Sequence, residues 1–229
     1  MDTQVLLETV EHETGTDPQW AVVWLHGLGA DGHDFTPIVP EVVRRGWPAI
    51  RFVFPHAPVR PVTINNGMRM RAWYDIRDFG FEGTVGDRAD AAGVAASVEQ
   101  VEALIARENG RGIPASRVLL AGFSQGGAIA LSTALQRAEP LAGIVALSTY
   151  LPLAAQAEAG ATEAAARQPV FMAHGTHDPV VPFAAGERSA ERLRAMGFDV
   201  EWHAYPMQHQ VCGEQIRDLG QWLDRRFAA

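Results

Sequence analysis

Five short, almost uninterrupted apolar runs punctuate the chain: residues 20–25 (WAVVWL), 49–54 (AIRFVF), 117–122 (RVLLAG), 143–147 (GIVAL) and 169–173 (PVFMA). Runs of this length without polar alternation predict strands covered on both faces. Between or after them, residues 87–108, 125–138, 185–196 and 213–227 are dominated by Ala, Leu, Glu, Arg and Gln, a composition that predicts helices. Val94, Val98, Val101, Leu104 and Ile105 recur near helical spacing, with Glu99, Gln100 and Glu102 elsewhere on the wheel, so one face of that helix packs inward. The alternation of strand and helix predicts an α/β fold: a mostly parallel central sheet with right-handed crossovers and helices on both faces. Residues 4–10 and 200–205 carry weaker strand patterns suited to edges, and the Ala-rich residues 154–167 read as a surface loop or short helix. Residues 55–86 break the pattern; they are rich in Pro, Gly, Asn and Arg, yet carry Trp73, Tyr74, Phe79 and Phe81. Long irregular connections inside compact domains are often functional. With no repeat, charge block or linker, residues 1–229 read as a single domain.

Composition narrows the classes. With 47% hydrophobic and 20% charged residues, the chain belongs among soluble globular proteins. The 27 Asp and Glu outweigh the 19 Lys and Arg, and a formal charge of -8 argues against nucleic acid as a partner. Cys212 is the one cysteine, so neither an intrachain disulfide nor a cysteine-rich zinc site can form. Residues 1–10 lack the basic and hydrophobic parts of a secretory signal. The longest mostly apolar stretch, 141–153, is broken by Ser148, Thr149 and Pro152 and falls short of the roughly 20 residues that span a bilayer. These features predict a cytoplasmic protein without stable membrane insertion.

Gly122-Phe123-Ser124-Gln125-Gly126, followed by Gly127, stands where an apolar strand gives way to an Ala-rich helix. This is the context of a nucleophile elbow, in which a strained turn projects the serine hydroxyl and small residues two positions either side let strand and helix approach. The competing reading is a glycine-rich helix start capped by Ser124. A serine nucleophile needs a histidine to take its proton and an acid to orient that histidine, in this architecture in the chain order Ser, acid, His. Asp178 follows the strand pattern at 169–173, in His174-Gly175-Thr176-His177-Asp178-Pro179, and is the candidate acid; the alternative is a simple Asp-Pro turn. Asp199 and Asp218 are less well placed. His209 lies between the last strand pattern and the terminal helix and is the candidate base, against the alternative of a surface histidine. His203 falls inside a strand pattern, and His177 adjoins Asp178. His174, His177 and Asp178 also admit a metal reading, but no further cluster has a recognised ligand spacing, so no metal is expected. The oxyanion of acyl transfer needs two N–H donors; the Gln125 backbone is one candidate and Leu28, in His26-Gly27-Leu28-Gly29, is the other. That loop matches neither phosphate-cradling glycine pattern.

Leu25-His26-Gly27-Leu28-Gly29, Phe54-Pro55-His56-Ala57-Pro58, Arg71-Ala72-Trp73-Tyr74-Asp75, Gly122 to Gly127, His174 to Asp178 and the segment ending in His209 together resemble the phospholipase/carboxylesterase family of α/β-hydrolases, which includes acyl-protein thioesterases. The matches run in order along nearly the whole chain. The resemblance implies an α/β-hydrolase fold without a large cap domain. It implies hydrolysis of carboxylic esters, and in some members thioesters or lysophospholipids, by Ser124, Asp178 and His209, with Leu28 and Gln125 as oxyanion hole and no cofactor; the little sequence left for a cap favours small or linear acyl groups, hence short- to medium-chain esters. The substrate is then a small-molecule ester or thioester, and whether two copies pair as a homodimer stays open. Residues 56–81 become a loop beside the site, with Trp73 near a shallow, open acyl groove; equally, Trp73, Tyr74 and Phe79 serve to pin that loop to the domain. Gln208 departs from the small residue that commonly precedes the histidine. A catalytically silent binding protein with the same fold keeps the same motifs, and reaction with a fluorophosphonate separates the two.

Overall fold

The computed structural model describes residues 6–77 and 90–228. Among the described residues, nine strands and six helices follow one another as β1 (Thr9–Glu13), β2 (Trp20–Leu25), α1 (Ile38–Val42), β3 (Ile50–Pro55), β4 (Val59–Val62), β5 (Met68–Arg71), α2 (Ala91–Gly110), β6 (Val118–Phe123), α3 (Gln125–Leu135), β7 (Gly143–Leu147), α4 (Ala154–Gly160), β8 (Val170–Gly175), α5 (Phe183–Ala195), β9 (Val200–Tyr205) and α6 (Gly213–Phe227). Seven strands form one sheet in the order β1-β3-β2-β6-β7-β8-β9. All its neighbours pair in parallel except β1, which runs antiparallel to β3 at the edge.

Every residue of β2, β3, β7 and β8 is buried, as expected of strands sandwiched between helix layers. One face packs Val94, Val98 and Val101 of α2, Ile129 of α3 and Leu193 of α5. The other packs Ile38 and Val39 of α1 and Leu219, Trp222 and Leu223 of α6. Chain order reverses between β2 and β6: from β2 the chain next adds β3 on one side, whereas β6 and its successors build outward on the other. In open α/β sheets the crevice at the carboxyl ends of the strands flanking such a reversal is the usual binding site.

Two elements differ from the sequence reading. The edge strand expected at 4–10 forms at Thr9–Glu13, where a largely exposed, polar His-Glu sequence hides the strand from a hydrophobicity pattern; residues 4 and 5 lie outside the described residues. The irregular segment 55–86 contains a hairpin, β4 against β5, turned through Asn66 and Gly67 at φ 55° and 73°. Its strands are four residues each and half exposed, too short to show a period. Phe79, Phe81 and the start of the helix expected at 87 also lie outside the described residues. The 154–167 stretch resolves into α4 and a 3-10 turn at Ala165–Arg167.

Candidate active site

Register brings the loop-bearing strand ends together. Leu25 of β2 pairs with Gly122 of β6, Phe123 with Leu147 of β7, and Gly175 of β8 with Tyr205 of β9. The segments that follow β2, β6, β8 and β9 therefore emerge at one edge of the sheet, and they carry His26 to Leu28, Ser124, Asp178 and His209 respectively.

Ser124 sits at the turn from β6 into α3 with φ 54° and ψ -122°, a conformation that L residues rarely adopt. The surroundings enforce it: the Ser124 N–H donates to Leu147 O at 2.9 Å, and the Ser124 carbonyl accepts the Thr149 hydroxyl at 2.7 Å and the Ala128 N–H at 3.1 Å. A Cβ on Gly122 would overlap the Gly126 and Gly127 backbone, and one on Gly126 would overlap the Leu25 and His26 carbonyls. The two glycines thus let β6, α3 and the loop after β2 meet at the serine.

Ser124 Oγ lies 2.9 Å from His209 Nε2, and His209 Nδ1 lies 2.7 Å from Asp178 Oδ2. Because a carboxylate only accepts, the proton of a neutral His209 sits on Nδ1, leaving Nε2 to accept from the serine hydroxyl. Phe123 packs against the imidazole at a ring-centroid distance of 4.7 Å, the rings tilted by 48°. The His209 loop is held against β8: Thr176 N–H donates to Tyr205 O at 2.8 Å, and His177 N–H to Met207 O at 3.1 Å. Gln208 is exposed.

The Asp178 side chain is fully buried, and both its oxygens are engaged. Oδ1 accepts the N–H groups of Val180 and Val181 at 2.8 and 2.9 Å, while Oδ2 accepts from His209 and faces His174 Nε2 at 3.4 Å. Burial alone pushes this carboxyl up, but the donors from His174, His209, Val181 and Val180 outweigh it and hold Asp178 well below the usual carboxylate range. The sequence pattern offers His174 only as a metal ligand. The imidazole is instead buried, donates from Nε2 to Val181 O at 2.9 Å, and fits a slot that a side chain at Gly186 would fill. Its spacing of four residues from Asp178, at the end of an apolar strand, was the available signal. His203 lies in β9 against Glu201, and His177 is exposed. Among the described residues no group of three His, Cys, Asp or Glu side chains is placed to hold a metal ion.

A Cβ on Gly27 would lie 3.4 Å from Ser124 Cβ, so the loop after β2 borders the nucleophile. Among the described residues neither the Leu28 nor the Gln125 backbone N–H has a protein acceptor, which leaves both free for a ligand. His26 is buried; its Nδ1–H donates to Gly27 O at 2.7 Å and its Nε2 accepts the Ala57 N–H at 3.0 Å. Trp73 differs from the groove-lining expectation: it is 0% exposed, donates its indole N–H to His26 O at 2.9 Å, and offers no surface to a substrate. The pinning account fits it, and the same holds for Tyr74, whose hydroxyl pairs with that of Tyr150 at 2.8 Å.

The sequence profile described as phospholipase/carboxylesterase matches residues 8–226. The chain belongs to the phospholipase/carboxylesterase family. It is 37% identical to acyl-protein thioesterase 1 of Mycosarcoma maydis, over 96% of each chain. Against acyl-protein thioesterase 1 of Neurospora crassa it is 38% identical, over 97% of this chain and 91% of the relative. Solved structures of this shape include Arabidopsis thaliana SOBER1, with 33% identity and a TM-score of 0.84 over 90% of this chain and 98% of that one. Zea mays acyl-protein thioesterase 2 superposes with a TM-score of 0.80 at 28% identity, over 95% and 99% of the two chains. This phospholipase/carboxylesterase family member is accordingly an α/β-hydrolase acting on carboxylic esters or thioesters, and among the described residues no helix is long and apolar enough to cross a membrane.

Proposed function

We propose that the protein is a serine carboxylesterase working through an acyl-enzyme on Ser124. The observation that supports this is the row of Ser124 Oγ, His209 Nε2, His209 Nδ1 and Asp178 Oδ2, linked at 2.9 and 2.7 Å. His209 takes the hydroxyl proton as Oγ bonds to the acyl carbon, and the carbonyl electron pair moves onto oxygen. The N–H groups of Leu28 and Gln125 receive that oxyanion, and Asp178 balances the imidazolium. When the tetrahedral species collapses, His209 returns the proton to the departing alcohol or thiol; water then repeats the sequence and releases the acid. Short- to medium-chain carboxylic esters are the substrate class. The names of the relatives at 37 and 38% identity favour one second reading, S-acylated protein as substrate. The free Cys212 fits a cytoplasmic setting for either.

The test is turnover of p-nitrophenyl esters of increasing chain length beside an S-acyl peptide and a lysophospholipid, each with the Ser124→Ala control. Ser124→Ala should lower kcat on the order of 10⁴ to 10⁶ without unfolding the chain. Near-normal turnover by that variant, or a folded wild-type protein inert to fluorophosphonate, would overturn the proposal. Preference for the S-acyl peptide over every oxygen ester would select the second reading.

A further inference from the structure

Gln125 enters the proposed reaction through its backbone, yet its side chain is only 2% exposed and fully occupied elsewhere. The carboxamide Oε1 accepts the Trp73 N–H at 2.8 Å, and Nε2 donates to Tyr74 O at 2.8 Å. It thus presents to residues 73 and 74 the donor and acceptor that a neighbouring strand would. A buried amide is unfavourable without such partners, so packing alone would be served as well by an apolar side chain. From this clamp the contacts continue to the loop after β2. The Trp73 indole donates to His26 O at 2.9 Å, the Gly29 N–H donates to Arg71 O at 2.9 Å, and the Ser97 hydroxyl donates to Trp73 O. Leu28 lies between the two tethered residues, His26 and Gly29.

We infer that the Gln125 carboxamide is a positioning residue for the oxyanion hole: it fixes the Trp73 backbone, Trp73 holds His26, and the held loop aims the Leu28 N–H. The residue that supplies one oxyanion donor through its main chain thereby orients the other through its side chain. This rests on the acyl-enzyme reading above. Stabilisation of an oxyanion depends on donors about 3 Å from where the charge develops, and small misplacements are expensive in rate. Any residue but proline keeps the backbone N–H at position 125, so substitution there reads the carboxamide separately from the donor.

The experiment compares wild type, Gln125→Met, Trp73→Phe, their double variant and Ser124→Ala. It measures kcat and KM on p-nitrophenyl butyrate and Ki for an alkyl trifluoromethyl ketone, whose adduct with a serine carries an oxyanion. Gln125→Met keeps side-chain length and removes both hydrogen bonds; Trp73→Phe removes the indole N–H. Each single variant should lose roughly tenfold to a hundredfold in kcat, less than the loss of a whole donor, with KM little changed and ketone affinity weakened by a similar factor. The double variant should lose scarcely more than the worse single one, because both act on one path. Wild-type kcat and Ki in a folded Gln125→Met, or fully additive losses in the double variant, would overturn the inference. If Gln125→Met does not fold, the Ki of Trp73→Phe decides. The Ser124→Ala arm separates the two ideas: turnover retained there removes the acyl-enzyme reading, whereas a silent Ser124→Ala beside an unimpaired Gln125→Met removes only the role of the carboxamide.

Discussion

At the residue scale, the base is held by a position that carries no chemistry. Gly175 ends β8, and a Cβ there would overlap the carbonyl oxygens of Met207 and Gln208, the two residues before His209. Its φ is not positive, so the requirement is for space rather than for a left-handed backbone. Gly175→Ala should push the 207–208 backbone away from the sheet and lengthen the 2.9 Å approach of His209 to Ser124. The expected result is a fall in kcat of roughly a hundredfold with a small change in KM, since binding surfaces elsewhere are untouched. A loss of about 1 to 3 kcal/mol in urea denaturation should accompany it, as for other overpacked sites. Steady-state kinetics on the folded variant checks this; a wild-type kcat would mean that the His209 loop is positioned by other contacts.

At the element scale, α2 is fastened to the sheet by charge as well as by its apolar face. Glu108, on the last turns of α2, is fully buried; Oε2 accepts from Arg51 of β3 at 2.9 Å and Oε1 from Arg107 and Arg111 at 3.1 Å each. Arg51 also reaches Glu13 of β1 at 2.8 Å. Glu108→Ala removes an acceptor shared by three arginines, but Arg51 keeps Glu13 and Arg107 and Arg111 keep Glu11, so the loss in urea denaturation should be about 1 to 3 kcal/mol. Arg51 pairs with Ala21 near the start of β2, the end of the sheet opposite Ser124, so kcat per folded molecule should be unchanged. Loss of activity without loss of stability would contradict this account. The elements also show what pattern reveals. β2, β3, β6, β7 and β8 were legible because burial on both faces writes a continuous apolar run, and the elbow because Gly122 and Gly126 flank Ser124 at fixed offsets. The candidate acid and base followed from chain order and from their positions after strands. β4, β5 and α1 were not legible, and β1 was legible as an edge strand but not in its bounds: they are short or exposed, and their pairing, not their composition, defines them. The Gln125 clamp and the burial of Trp73 join positions more than 50 residues apart, a contact that exists only once β2, β6 and the hairpin segment are in register.

At the scale of the whole molecule, acid should weaken the fold in two steps that trace to this site. The His26 imidazole is pushed below its ordinary value chiefly by burial, which outweighs the hydrogen bond to Gly27 O and the pull of Asp34 and Asp31 in the other direction. The native state requires it neutral, because Nε2 accepts the Ala57 N–H. In the unfolded chain a histidine takes up its proton near pH ~6.5. Below that pH the unfolded state binds more protons than the native one, so stability declines as pH falls toward the lowered native value. Asp178 acts later. Held well below the usual carboxylate range by its four donors, it contributes stability that is complete above the unfolded value of about 4 and is lost as pH falls through its own lower value. Urea denaturation from pH 8 to pH 3 should therefore show a shallow decline that begins near pH ~6.5 and steepens below pH ~4. Replacing His26 with Asn removes the first titration and should flatten the slope between about pH 5 and 6.5 relative to wild type, even though the variant starts from lower stability. An unchanged slope in that window would mean that the acid sensitivity comes from other histidines and that the loop after β2 tolerates a charged His26. The oxyanion loop would then not be the first part of the site to yield as pH falls.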